Sequence, residues 1–260
     1  MGKTTIKMTA EQETENPIFI EGLAGVGHIG RNTVSFVAES MEARKIGEIH
    51  SHHFPPYAIV SDEKTINTIK NDIYEIKRED QQDIVFLEGN AQANNPEGHH
   101  EVTDKVMDLV ETVGATELVT VGGYGTGDVV EEPEVMGVTT EEDLQDKYGE
   151  YNITFDHDVD QVVGVSGLLL GLAQERGYEG ICILGETPGF LLSDPKSTEE
   201  VIKVVESIID ADLDYTGLDE KVEESQEILK KIRNLKKEQG QCKGQNQDGK
   251  GQAPDLGYIG

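Results

Sequence analysis

The sequence is poor in the residues that stabilise small secreted proteins. It has no tryptophan and only two cysteines in 260 residues. Cys182 falls in an apolar run typical of a buried strand, whereas Cys242 falls in a polar stretch. This pattern indicates a reducing compartment and excludes a disulfide framework. A chain of this length can bury a full core without disulfides or a metal.

Long apolar segments are also missing. Residues 1–16 are polar and acidic, unlike a signal peptide, and no uninterrupted apolar stretch is long enough to span a bilayer. These absences predict a cytoplasmic protein that has no membrane partner.

Positive charge is scarce. The chain has 22 Lys and Arg against 51 Asp and Glu, which gives a formal net charge of -29. Because such a surface repels phosphate backbones, we predict that nucleic acid is not a partner. The acidity and the low aromatic content indicate a halophilic protein whose surface charges are screened by salt. A solvated acidic surface is favoured over an acidic binding face.

Short β-branched runs alternate with amphipathic stretches from Pro17 onward. This alternation predicts an α/β fold with a mostly parallel sheet that is covered by helices on both faces. Gly114 and Gly177 each follow a helical run and are predicted to end it, and Asp194 is predicted to begin a helix. The predicted strands are 18–20, 46–49, 57–60, 84–87, 118–121 and 181–184, and the predicted helices are 29–41, 101–113, 166–176 and 197–209.

Composition divides the chain into four predicted regions. Residues 1–15 are predicted to be disordered, and residues 16–216 form the α/β/α core domain. Residues 217–238 form a charged amphipathic helix, which must dock either on its own domain or on a second subunit. Residues 239–260 form a flexible tail rich in Gly and Gln that ends in an apolar tip, an arrangement that suggests a docking peptide.

A glycine-rich segment follows the first predicted strand. Gly25, Gly27 and Gly30 have the G-x-G-x-x-G spacing, which in dinucleotide enzymes lets backbone amides and a helix N-terminus hold a pyrophosphate. Such a site also needs an acidic residue about 20 positions further on. Glu48 is near that distance but does not follow an apolar run. The favoured interpretation is a tight turn with close helix–strand packing, and cofactor binding is the alternative.

Two further patterns match only part of a catalytic or metal-binding motif. The surroundings of Ser166 resemble a nucleophile elbow, but Leu168 replaces its second glycine, so Ser166 is interpreted as a helix N-cap. Histidines cluster at 50–53 and 99–100 without the ligand spacing of a closed zinc site. We therefore predict no catalytic residue, no metal site and no cofactor.

Several segments occur in the order and spacing seen in the archaeal proteasome assembly chaperone family, which the chain resembles over about residues 16–237. The resemblance implies a three-layer α/β/α fold of the phosphorylase/hydrolase-like class, without an established catalytic centre. The segments that carry it are Gly22–Gly30, His53–Pro56, Leu87–Gln92, Val121–Tyr124, Gly167–Gly171, Glu186–Gly189 and Asp194–Pro195.

The resemblance also implies a function. It implies an ATP-independent chaperone or adaptor that binds proteasome core-particle α subunits as a homo-oligomer. In family members that act on the proteasome, a C-terminal tail of the form hydrophobic-Tyr-any residue inserts between α subunits, where its carboxylate pairs with a pocket lysine. This chain ends in Tyr258, Ile259 and Gly260, the predicted partner-binding residues.

That ending departs from the family pattern. The tyrosine stands one position too early, unless Tyr258 serves as the hydrophobic member and Ile259 replaces the usual tyrosine. The alternative class of function is an enzyme that binds a nucleotide-like or phosphorylated small molecule at the glycine-rich loop.

Overall fold

A computed structural model describes residues 4–215 together with Gly217, Leu218 and Val222. Within these residues, an eight-stranded sheet lies between two layers of helices, which confirms the three-layer α/β/α fold. Helices α1 and α5 pack together on one face of the sheet, and α2 and α4 pack together on the other. The helices are α1 (Ile29–Ser40), α2 (Pro96–Val113), α3 (Leu144–Tyr148), α4 (Val165–Glu175) and α5 (Pro195–Ile208).

The sheet is parallel at its centre and antiparallel on both sides. Strands run in the order β1-β3-β6-β7-β2-β8-β10-β9, of which β7, β2, β8 and β10 are mutually parallel. β4 and β5 form a separate hairpin. The strands are β1 (Thr5–Met8), β2 (Ile18–Leu23), β3 (Arg44–His50), β4 (Ala58–Val60), β5 (Ile66–Thr68), β6 (Asn71–Ile76), β7 (Ile84–Gly89), β8 (Glu117–Gly125), β9 (Val135–Thr139) and β10 (Glu179–Thr187).

The parallel centre follows from continuous apolar runs. All six residues of β2 are buried, because helices cover both of its faces. Alternate side chains divide between the two layers: Ile18 and Ile20 pack with α1 and α5, whereas Phe19 and Leu23 pack with α2 and α4. The core is therefore two apolar layers separated by one sheet.

The helix ends largely follow the predicted capping signals. Gly114 ends α2 in the left-handed conformation, at φ 69°, and the side chain of Asp194 accepts a hydrogen bond from Ser197 N at the start of α5. α2 begins five residues earlier than predicted, because Asn95 caps it. The predicted cap at Ser166 is wrong: Gly164, at φ 94°, is the N-cap of α4, and Ser166 lies buried in its first turn.

Strand β6 was not predicted from the sequence, because its buried face contains polar residues. Asn71, Ile73 and Glu75 alternate with half-buried neighbours, so the strand lacks an apolar periodicity. Glu75 is tolerated there because Arg44 forms an ion pair with it and Glu13 N donates to it at 3.0 Å. The elements β1, β5, β9 and α3 were likewise not predicted.

The N-terminal segment is a correction to the prediction of disorder over 1–15. Thr5–Met8 is an edge strand that pairs antiparallel with β3. Thr4 precedes this strand, and its backbone N and hydroxyl donate to Glu101 of α2 at 2.5 and 2.7 Å. The order of this polar segment comes from tertiary contacts that its own sequence does not reveal.

The start of the predicted C-terminal helix packs on its own chain. Leu218 and Val222 are buried in the apolar layer of α1 and α5. The other residues of the predicted helix over 217–238, apart from Gly217, lie outside the described residues, as does the predicted tail over 239–260. The domain boundaries stay predictions. Among the described residues, no helix is both long and apolar enough to cross a membrane.

Glu101→Gln tests the attachment of the N-terminal strand. Removing the negative charge weakens both hydrogen bonds from Thr4, so exchange of the amides of Thr5–Met8 is expected to accelerate about fivefold. Hydrogen-exchange mass spectrometry measures this rate. Glu97→Gln, an exposed change on the same helix, is the control. Equal rates in both variants would contradict the anchoring role of Glu101.

Candidate functional site at the carboxyl edge of the parallel strands

The loops after the parallel strands meet at one edge of the sheet. β2, β7, β8 and β10 end there at Leu23, Gly89, Gly125 and Thr187. Open α/β sheets bind ligands in the crevice outside the carboxyl ends of such strands. We call this region, with its loops, the carboxyl edge.

The glycine-rich loop after β2 makes a tight turn. Gly27 has φ 61° and His28 has φ 51°, and His28 N donates to Gly25 O at 3.0 Å. Gly25 is exposed, whereas Gly27 is buried against other loops. A Cβ at Gly27 would lie 3.3 Å from the hydroxyl oxygen of Thr187. The turn therefore needs glycine at position 27 for both its backbone angle and its space.

Gly30 and Gly22 let helix and strand backbones touch. A Cβ on Gly30 would lie 2.2 Å from Val121 O of β8, and one on Gly22 would lie 2.3 Å from Gly30 O. No side chain fits at either position without moving backbone. The packing interpretation of the glycine spacing is therefore confirmed for Gly30.

One side chain and one backbone amide connect this loop to neighbouring segments. The Gln92 amide donates to Ala24 O and accepts from Val165 N at the start of α4, both at 2.9 Å. On the other side, Asp194 N donates to Gly27 O at 2.9 Å, and the Thr187 hydroxyl donates to the Asp194 carboxylate at 2.8 Å. Asp194 was predicted only as a helix cap, and the bridging role of Gln92 had no sequence signal beyond its place in a family segment.

The acidic residue that was considered for binding the ribose of a dinucleotide lies far from the glycine-rich loop. Glu48 is on β3, which is separated from β2 by β6 and β7. Hydrogen bonds from Lys45 and Lys70 lower the pKa of Glu48 to about 2, and His50 contacts its other oxygen at 3.0 Å. The position of Glu48 agrees with the sequence argument against it as a ribose-binding residue. Cofactor binding by Gly25, Gly27 and Gly30 stays the alternative to the predicted absence of a cofactor.

The histidines are dispersed rather than gathered. His50 contacts Glu48, and His53 lies 3.5 Å from Glu101 on α2. The pair at 99–100 lies on α2. No group of three or more potential ligands in the described part of the chain is arranged to hold a metal ion.

A buried carboxyl group lies directly beneath the carboxyl edge. Glu21, Thr120 and Cys182 stand side by side on β2, β8 and β10, on the face covered by α4. Glu21 is 0% exposed, and neither carboxyl oxygen has a hydrogen-bond partner of ordinary geometry among the described residues. This group was not predicted, although a glutamate inside an apolar strand is a signal that could have found it.

Burial controls the ionisation of this cluster. It raises the pKa of Glu21 to about 8, a rise that the nearby Ser166 hydroxyl and Leu23 amide partly oppose. Burial also raises the pKa of the Cys182 thiol to about 12. Both groups are therefore neutral at pH 7 and closed from solvent. They support the floor of the crevice and do not line it.

Large apolar side chains are exposed around this edge. Among the described residues nine large apolar side chains are exposed, and eight of them lie in loops or the hairpin at this edge. The eight are Val26, Tyr57, Ile59, Val60, Ile66, Val163, Phe190 and Leu192. A concentration of exposed apolar side chains is typical of a protein-binding surface.

Comparison with known proteins gives consistent matches. A model of the PAC2 family matches residues 19–233. An uncharacterized protein of Methanocaldococcus jannaschii is 32% identical over 259 residues, which cover 98% of this chain and 97% of that protein.

Two solved structures share the fold. The crystal structure of Pyrococcus furiosus PbaB, an archaeal proteasome activator, has a TM-score of 0.84 and 33% identity, and the match covers 90% of this chain and 100% of PbaB. Pyrococcus furiosus PbaA, an archaeal homolog of proteasome-assembly chaperone, has a TM-score of 0.72 and 22% identity, with coverage of 92% and 96%. The match to PbaA supports the fold alone.

Gly30→Ala tests the contact between α1 and β8. A methyl group there must displace the Val121 backbone, so the free energy of unfolding is expected to fall by about 2 kcal/mol or more. Gly171→Ala is the matched control, because a Cβ at that exposed helical position has no neighbour within 4 Å. The control should be neutral or stabilising by up to about 1 kcal/mol. Denaturant unfolding that shows equal effects would refute the packing role.

Glu21→Gln tests the neutral carboxyl group through pH dependence. Folding raises the Glu21 pKa from 4.5 to about 8, so the unfolded chain releases a proton that the folded chain keeps. Wild-type stability should therefore fall relative to the Gln variant by on the order of 1 kcal/mol per pH unit across that window, and the difference should level off above about pH 8.

Unfolding of both proteins from about pH 5 to about pH 9 measures this difference. The exposed change Glu79→Gln serves as the control for the general effect of removing a charge. A difference between wild type and Glu21→Gln that does not change with pH would rule out a neutral, buried Glu21.

Proposed function

Because this chain belongs to the PAC2 family, we propose that it is an ATP-independent proteasome chaperone or adaptor that binds core-particle α subunits as a homo-oligomer. One observation carries the proposal. The similarity to PbaB, an archaeal proteasome activator, extends over 100% of that protein at 33% identity. A shared fold alone does not imply a shared partner, but 33% identity over the full length is a similarity of sequence as well as of fold.

The carboxyl edge supports a protein partner over a small-molecule substrate. Eight large apolar side chains are exposed there, and the polar side chains of Gln92, Thr187 and Asp194 bond to loops and to one another. The ionisable groups beneath it, Glu21 and Cys182, are fully buried. A protein surface can use the exposed apolar side chains directly, because burying apolar area needs no catalytic group.

In this proposal the C-terminal tail is one of the contacts with the proteasome. Tyr258, Ile259 and Gly260 supply two apolar side chains and a terminal carboxylate, which a pocket lysine between α subunits can pair. A tether of about 15 residues has a root-mean-square reach of roughly 20 to 25 Å. Several tails of one homo-oligomer could then engage adjacent pockets and gain avidity.

Replacing Tyr258 and Ile259 together with Ala tests the tail. Loss of both side chains should weaken binding to the host's α subunits at least about tenfold, because each buries apolar area only in the complex. Native mass spectrometry of the full-length protein with purified α subunits measures the complex. The matched control replaces Gln245 and Gln247 with Ala, which shortens two side chains of the same tail away from its tip.

The outcomes separate the parts of the proposal. Weaker binding by the tip variant alone supports the tail as an anchor. Equal binding by the tip variant, the control and the wild type would move the contact to the α/β/α body. No complex with any of the three would refute the proteasome as partner.

A further inference from the structure

The hairpin of β4 and β5 stands apart from the rest of the fold. In the described part of the chain, its strands pair only with each other and do not join the central sheet. All six strand residues are exposed. The hairpin therefore presents its side chains and both outer strand edges to the surroundings.

This hairpin has a defined shape at both ends. Phe54 before it and Ile69 after it are buried in the apolar layer of α2 and α4. At its tip, Ser61 N donates to Thr65 O at 2.9 Å, and the two hydroxyl oxygens lie 2.8 Å apart. An element that is anchored at its base and closed at its tip can present a fixed surface.

The register places an apolar pair on one face. Val60 lies opposite Ile66, and these side chains are 61% and 75% exposed. Ala58 and Thr68 continue the same face, because alternate strand residues point the same way. A two-stranded hairpin is marginally stable by itself in water, so a partner that covers this face would stabilise it.

Some backbone N–H and C=O groups of the hairpin point outward along its two strand edges. Because Ser61 N bonds to Thr65 O, the alternation of an antiparallel ladder turns the N–H and C=O groups of Val60 and Ile66 outward. Such an edge is a template for another strand.

The distribution of charge on this chain indicates how a second copy can approach the hairpin. Residues 57–60 and 65–69 carry no charge, and Asp62, Glu63 and Lys64 are confined to the tip. Each copy of the chain has a formal net charge of -29, so two copies repel each other over most of their surfaces. The uncharged strands are a place where a second copy can approach, and identical edges are self-complementary about a two-fold axis.

We propose that the β4–β5 hairpin is a self-association surface. The face of Val60 and Ile66, with an outer strand edge, packs against the same hairpin of a second copy of this chain. Tyr57, 58% exposed at the hairpin base, extends the apolar contact. This inference rests on the homo-oligomer of the proposed function and names the surface that forms it.

Two variants of the full-length protein, with opposite charges on the hairpin, test this contact. One variant carries Val60→Glu with Ile66→Glu, and another carries Val60→Lys with Ile66→Lys. Each should raise the dissociation constant for self-association at least about 100-fold, because an unpaired charge is costly to bury. Their mixture should form mixed complexes, since opposite charges then meet. Asn67→Glu, on the opposite face of the hairpin, is the matched control and should keep the wild-type mass.

Native mass spectrometry of each protein and of the mixture, with circular dichroism to verify folding, distinguishes the outcomes. Dissociation of both variants toward the 28.5 kDa monomer, with mixed complexes on combination, supports the proposal. Dissociation without mixed complexes overturns the contact between two hairpins.

Two further results separate this inference from the proposed function. A wild-type oligomer that both variants retain overturns the hairpin as the interface but leaves the homo-oligomer in place. If the variants retain the oligomer but lose binding to α subunits, the hairpin contacts the proteasome and not a second copy of the chain. A monomeric wild type overturns the homo-oligomer together with the hairpin interface.

Discussion

The close approach of helix α1 to strands β2 and β8 is the constraint on which the carboxyl edge depends. Without side chains at Gly22 and Gly30, helix backbone lies directly against strand backbone at Val121. This contact fixes the direction in which the glycine-rich loop leaves β2, and so the place where Gly27 O meets Asp194 N. Because Asp194 also caps α5, one backbone contact positions both helices of that layer.

The scarcity of positive charge shapes the interior as well as the surface. Lys45 and Lys70 lie beside Glu48, and Arg44 lies beside the buried Glu75. These few cations thus stand where carboxylates are withdrawn from water. Glu21 forms no ion pair with any cation in the described part of the chain, and burial keeps it protonated instead. The fold therefore accommodates buried acids in three ways. Glu75 is paired with a cation, Asp83 and Asp194 accept hydrogen bonds, and Glu21 is kept neutral at the parallel centre of the sheet.

Much of the fold could be predicted from local patterns. The apolar runs located β2, β7, β8 and β10, and capping residues such as Gly114 and Asp194 marked helix ends, because these signals act within a few residues. β1 and β6 were missed for the opposite reason. Their order depends on partners that are distant in sequence, such as Glu101, 97 residues from Thr4, and Arg44, 31 residues from Glu75, and no local periodicity encodes such contacts.

The glycine loop shows why a motif alone could not define the site. Dinucleotide binding and close helix–strand packing both require backbone without side chains, so both select the spacing of Gly25, Gly27 and Gly30. The position of the strand that follows α1 distinguishes dinucleotide binding from close packing. A dinucleotide fold places that strand beside the first and brings its acidic residue to the ribose, whereas β6 and β7 here separate β3 from β2. Strand order is a property of the whole chain, and the same order leaves the β4–β5 hairpin projecting from the carboxyl edge. The topology that removes Glu48 from the loop thus also supplies the surface that we propose for self-association.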